Sequence, residues 1–118
     1  MGSGASLLEE IESLLKSVDG NVHYGKARET DVCDYIVWHR AYNRYAKTKN
    51  SKTEYFRVAI VRESYIPEGL DEAVIDALTS TSELRLSDSD PQYDYTRNPK
   101  TGNVVEVLVI EFYRVRKL

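Results

Sequence analysis

The hydrophobic positions of the chain follow two different periods. Leu7, Leu8, Ile11, Leu14, Leu15 and Val18 recur at helical spacing, with Glu9, Glu10, Glu12 and Lys16 off the stripe. Ser6 followed by Glu9 has the spacing of a capping box, and Asp19, Gly20 and Asn21 close the helix, with Gly20 as the expected left-handed residue. A second helical stripe of Leu70, Val74, Ile75 and Leu78 follows the break at Pro67 and Gly69. Asp71, Glu72 and Asp76 lie outside that stripe, and acids in a first turn suit the positive end of the helix dipole.

The remaining apolar residues alternate. Residues 22–24 form a short strand, 25–31 a polar connection, and 33–45 a longer strand. Tyr35, Ile36, Val37 and Trp38 are apolar on both faces, which predicts cover on both sides. Residues 47–53 contain no apolar side chain and read as a turn or hairpin tip. In 55–63, Phe56, Val58 and Ile60 share one face and Arg57, Ala59 and Val61 the other. A solvated stretch at 87–91 leads to a strand at 92–97, a turn at 98–103 and a last strand from 104 to about 116. There Val105, Val107 and Val109 oppose Leu108, Ile110 and Phe112. Glu106 and Glu111 are expected where that strand reaches an edge or an interface. The pattern predicts a flexible leader at 1–5 and a single α+β domain over 6–118. Its mainly antiparallel sheet has about four to five strands, two helices packed against it and a hairpin arm around 40–56.

The 118 residues suit one domain, and 42% hydrophobic content suffices for one core. No apolar run approaches the roughly 20 residues of a membrane helix. With one cysteine, Cys33, no intrachain disulfide forms, which fits a reducing cytoplasm.

Charge is sorted by position. Arg40, Arg44, Lys47, Lys49 and Lys52 follow one another without an acid, whereas residues 63–94 carry nine acids and only Arg85 as a base. A basic arm and an acidic flank on identical copies suit self-assembly into a ring. The expected interface joins Arg40, Arg44, Lys47, Lys49 and Lys52 of one copy to Asp71, Glu72, Asp76, Asp88 and Asp90 of the next. The net charge of −3 disfavours a general nucleic-acid binder. Yet Trp38, Arg40, Tyr42 and Arg44, two apart on a strand, are expected on one face, with Tyr45 beside them. This supports the alternative of a small nucleic-acid-binding accessory protein.

Catalytic and metal chemistry find no constellation. His23, Cys33 and His39 lack metal-ligand spacing, although His23 and His39 become neighbours if their strands pair. Cys33 reads as a structural thiol rather than a nucleophile. Asp88 and Asp90 lack the closing ligands of a calcium loop, and no glycine-rich phosphate loop exists. No cofactor, metal or catalytic residue is therefore assigned. A small nuclease built on His39 and tyrosines lacks a paired acid and base.

Several phrases taken together carry a resemblance. They are Val22-His23-Tyr24-Gly25-Lys26-Ala27, Asp34-Tyr35-Ile36-Val37-Trp38-His39-Arg40, and Val58-Ala59-Ile60-Val61-Arg62-Glu63-Ser64-Tyr65-Ile66-Pro67-Glu68-Gly69. Leu84-Arg85-Leu86, Tyr93-Asp94-Tyr95 and Val104-Val105-Glu106 complete the set. In this order, from about Leu7 to Phe112, the chain resembles head–tail connection proteins of tailed phages and prophages of Gram-positive bacteria, and most closely the tail-terminator or tail-completion group. The resemblance implies a non-enzymatic virion protein, assembled in the host cytoplasm. It would form a ring, a hexamer in that group, at the head-proximal end of the tail tube. Its implied partners are further copies of itself, the tail-tube protein and a head-completion or connector protein, with incidental contact to passing DNA and none to membrane. Head-completion and adaptor proteins of the neck are the alternative within the same group.

Overall fold

The computed structural model describes residues 6–27 and 33–118. The elements are α1 (Leu7–Val18), β1 (Val22–Tyr24), β2 (Tyr35–Tyr45), β3 (Ser51–Glu63), α2 (Leu70–Thr81), β4 (Arg85–Leu86), β5 (Gln92–Arg97) and β6 (Val104–Lys117). The expected leader at 1–5 and part of the polar connection, 28–32, lie outside the described residues. Helix α1 begins as its sequence predicts: the Ser6 hydroxyl accepts the Glu9 N–H, and the Glu9 carboxylate accepts the Ser6 N–H. Its end differs. Gly20 is not left-handed; Asp19 is an extended C-cap whose N–H bonds the Leu15 carbonyl. The Asp19 carboxylate accepts the Asn21 N–H and pairs with Arg62 on β3, so a long-range ion pair turns the chain where a local glycine motif was expected.

The sheet has six strands in the order β1-β2-β3-β6-β4, and β5 also pairs with β6. Only the β1–β2 pair is parallel. The strand beyond the expected count is β4, two residues long and too short for any periodic signal. Strand β3 starts at Ser51 rather than after the lysine tip, because β2 and β6 flank Ser51 to Tyr55 and recruit those polar residues into the ladder.

Ile36 and Trp38 of β2, Phe56, Val58 and Ile60 of β3, and Leu108, Ile110 and Phe112 of β6 share one face. They pack against Ile11 and Leu15 of α1 and Val74 and Leu78 of α2. Both described helices lie on that face. The other face is covered only in part: Val61, opposite Tyr35, and Val105 are buried there, whereas Val37 and Ala59 are half-buried and Val109 beside them is 39% exposed. The two β6 glutamates do not mark an edge either, since β6 is an interior strand with β3 on one side and β4 and β5 on the other. Each pins a loop instead. Glu106 accepts the Ile66 N–H at 2.8 Å, and Glu111 accepts the Ser87 hydroxyl at 2.8 Å and pairs with Arg57. These partners satisfy carboxylates that a central strand would otherwise bury at high cost.

Arg62 donates to the carbonyls of Tyr35 and Val61 as well as to Asp19, so it ties the end of α1 to the middle of the sheet. Arg62→Met is expected to lower the free energy of unfolding by about 1–3 kcal/mol, as loss of a charge-assisted bond leaves Asp19 unpaired. Urea denaturation at neutral pH measures it; an unchanged midpoint would show that Asp19 caps α1 without help.

Candidate functional site

The hydrophobic core stops before the strands do. The last buried residues toward the β2–β3 turn are Trp38, Phe56 and Phe112. Beyond them β2, β3 and β6 continue as a ribbon with no buried residue, ending at a turn in which the Ala46 N–H bonds the Ser51 carbonyl. The arm thus has three strands, where the sequence pattern predicts a two-stranded hairpin. Residues 40–57 together with 111–118 carry Arg40, Arg44, Lys47, Lys49, Lys52, Arg57, Arg114, Arg116 and Lys117 against Glu54 and Glu111. The arm is +7; with −3 for the whole chain, the rest of the protein is −10.

A bulge between Arg40 and Tyr42 divides the expected basic-aromatic stripe. Trp38 opposes Val58 and Arg40 opposes Phe56, on the helix face; one residue is then skipped, and Tyr42 and Arg44 oppose Tyr55 and Thr53 on the open face. Trp38, Arg40, Tyr42 and Arg44 therefore do not lie together. On the helix side, Trp38 Nε1 donates to Glu12 at 2.6 Å and Arg40 Nε to the Tyr24 hydroxyl at 3.3 Å, beside a shallow apolar cleft of about 220 Å³. On the open side, Tyr42 and Tyr55 stack at 4.4 Å and Tyr55 meets Tyr113 at 6.1 Å. Arg57 lies over Tyr42 at 6.0 Å and Arg44 over Tyr55 at 5.9 Å. These rings border a cavity of about 450 Å³ with Ser87, Asp88, Ser89 and Glu111. Their π faces already meet one another and the arginines, which is poor geometry for stacking nucleobases.

The ten expected interface residues fall into separate places. Lys47 and Lys49 are exposed in the arm's turn, and Arg44 is exposed on its open face. Lys52 belongs to β3, where it pairs with Glu54 at 3.5 Å and lies over the Tyr45 ring, so it is held within its own arm. Arg40 is exposed but engaged by Tyr24. Asp71, Glu72 and Asp76 line the first turns of α2, and Asp88 and Asp90 lie in the β4–β5 loop; none of these acids forms an ion pair among the described residues. Of the soft ligands, His23 and His39 do stand on paired strands, His23 opposite Val37 and on the face of His39, with the His23 ring edge-on to Tyr35. Cys33 is a half-buried free thiol. Among the described residues no helix is long and apolar enough to cross a membrane. No family model and no curated protein matches the chain.

At the root of the arm Arg114 reaches Glu54 at 2.6 Å and Glu83 at 3.3 Å, joining β6, β3 and the segment between α2 and β4. Partial burial pushes the Glu54 carboxyl up, but the hydrogen bonds and charges of Arg114 and Lys52 outweigh it and hold the group below the usual carboxylate range. Hydrogen bonds from Thr101 and Asn103 likewise lower Glu63, and acceptance by Glu106 raises the Tyr95 phenol. Because the folded Glu54 is the stronger acid, its contribution to stability is complete above the unfolded pKa. It is lost as pH falls through the lower folded value. Arg114→Met is expected to cost about 1–3 kcal/mol at pH 7 and clearly less in acid. Wild type and variant compared by denaturant titration at both pH values test this; a penalty independent of pH would remove Glu54 from the explanation.

Proposed function

We propose that this protein is a non-enzymatic virion assembly protein of a tailed phage, a tail terminator. In this reading its copies form a ring at the head-proximal end of the tail tube and join tail to head. The reading rests on the phrase-by-phrase resemblance of the sequence, and the observation that supports it physically is the separation of charge. An arm of +7 projects from a body of −10, so copies attract head to tail and repel arm to arm. A heterologous contact of that kind closes into a ring when its rotation divides a full turn. Of the expected interface residues, Arg44, Lys47 and Lys49 of the arm and Asp71, Glu72, Asp76, Asp88 and Asp90 of the body are available for it. The tail-tube protein and a head-completion or connector protein are the further partners, and the completed ring belongs to the virion after assembly in the host cytoplasm. Another neck position, head completion or adaptor, fits the same charge layout.

A second reading, binding of nucleic acid by the arm, draws support from the nine clustered bases. It is weakened by the tyrosine rings, which face one another. A steep fall of DNA affinity with salt distinguishes it.

Lys47→Glu/Lys49→Glu and Asp88→Lys/Asp90→Lys are each expected to stop ring formation in the folded protein. Single exposed pairs contribute only about 0–1 kcal/mol, hence the doubled reversals. Mixed in equal amounts, the two variants are expected to assemble again in alternation, reversed arm meeting reversed loop and native arm meeting native loop. Native mass measurement and electron microscopy with tail-tube protein read both results. Rings of normal yield from either variant alone would reject assembly by charge pairing.

A further inference from the structure

The ladder registers show which backbone groups of the arm have no partner strand. The Ala46 N–H bonds the Ser51 carbonyl, so in β2 the groups of Tyr42 and Arg44 point toward β3, and those of Asn43 and Tyr45 point away. Among the described residues nothing pairs with that outer edge, because β1 covers only Ile36 to Trp38. On the opposite side of the sheet, Ser64 bonds the Val104 carbonyl. The even-numbered β6 residues therefore face β3, and Val105, Val107 and Val109 face β5. This leaves Tyr93, Tyr95 and Arg97 of β5 with outward backbone groups. The Tyr95 N–H confirms the direction: its acceptor is the carboxylate of Asp94 and not a neighbouring strand.

We propose that the outer edge of β2 in one copy pairs antiparallel with the outer edge of β5 in the next, with Arg44 opposite Asp94. This rests on the ring reading and gives it a register. Following the sheet order, β5 runs antiparallel to β2, so a second copy continuing the same sheet presents β2 to β5 in antiparallel sense. Matching outward groups sets Asn43 against Tyr95 and Tyr45 against Tyr93. Arg44 and Asp94 then form the close, non-hydrogen-bonded pair between them. Both side chains lie on the open face, Arg44 opposite Thr53 and Asp94 opposite Val107, and a continued sheet keeps them on one face. The same register carries Lys47 and Lys49 toward residues 88–91, where Asp88 and Asp90 lie.

Charge selects this partner over the others the edges offer. An isologous β2–β2 pairing of the same parity sets Arg44 against its own image. A β2–β6 pairing brings Arg40 and Arg44 beside Arg116 and Lys117. The pairing is also sterically open. Asp94 is level with Tyr35 through Val107 and Val61, so the neighbour is displaced by about nine residues, or about 30 Å, along the strands. Only the bare arm, covered by no helix, then comes alongside β5. A ring with that stagger closes when its strands lean away from the ring axis, as in a barrel.

The test uses the full chain with Cys33→Ser, carrying Arg44→Cys and Asp94→Cys together. Under oxidation the double variant is expected to give covalent ladders of several copies, while each single variant gives none. Asn43→Pro, which removes only an outward N–H and suits an edge strand, is expected to weaken association by about tenfold or more with an unchanged circular dichroism spectrum. Wild-type rings together with an unlinked double variant, or with an unaffected Asn43→Pro, would overturn the edge pairing and leave the ring reading standing. Covalent dimers from Tyr95→Cys alone would show β5 pairing with itself and overturn the proposal. A wild type that remains monomeric at its solubility limit, with and without tail-tube protein, would overturn both.

Discussion

The pairing of β3 with β6 is the constraint on which the rest of the structure depends. The register runs without a break from Ser51 opposite Lys117 to Glu63 opposite Val105, a length of about 43 Å for the thirteen residues of β3. The helices cover only the part of it from Phe56 toward Glu63. One end is therefore a body with a conventional core, and the other is a bare ribbon held by backbone hydrogen bonds, cross-strand tyrosines and the Arg114–Glu54–Glu83 cluster. Three strands are about the least that holds an exposed ribbon together. That explains why the C-terminal strand runs out alongside the hairpin.

That one pairing also sets the electrostatics. It carries Arg114, Arg116 and Lys117 to the same end as Arg40, Arg44, Lys47 and Lys49, although some sixty residues separate the two groups. Close cations would oppose such gathering, and the fold meets this locally. Glu54 stands between Lys52 and Arg114, and Glu111 holds Arg57. Among the described residues, Asp71, Glu72 and Asp76 on α2 and Asp88 and Asp90 in the β4–β5 loop form no ion pair. The result is a molecule whose internal ion pairs neutralise the root of the arm and leave its outer part charged.

Period and capping made much of this fold legible in the chain. The α1 stripe with Ser6 and Glu9, the α2 stripe from Leu70 to Leu78, the Asn98–Asn103 turn and the alternation of β6 needed no tertiary information. What escaped depended on distant partners. Gly20 lost the end of α1 to the Asp19–Arg62 pair, and Ser51 to Tyr55 became a strand because two neighbours flank them. The bulge after Arg40 has no sequence mark, and it alone moved Tyr42 and Arg44 to the face opposite Trp38. Glu106 and Glu111, charged positions in the strongest strand, looked like signs of an edge. They are loop anchors, a role visible only once Ile66 and Ser87 are placed against them. The basic cluster at 114–117 was the one available hint that the arm had a third strand.

Exposed strand edges carry a risk of random pairing, and this chain places charge at two of them, the outer edges of β2 and β5. Arg40 and Arg44 on β2 repel another β2, and the Asp94 carboxylate occupies the outward N–H of Tyr95 on β5. Guards of the same sign on every edge would prevent all association. Guards of opposite sign on the two edges prevent like edges from meeting, and each becomes a complement to the other. The carboxylate that closes the β5 edge in an isolated copy is the group an incoming arginine would draw away, which frees the N–H at the moment a strand arrives to accept it. In the proposed edge pairing, protection of the isolated copy and selectivity for one kind of neighbour would have a single physical cause: the position of one charge on each edge, set by the β3–β6 register and the bulge after Arg40.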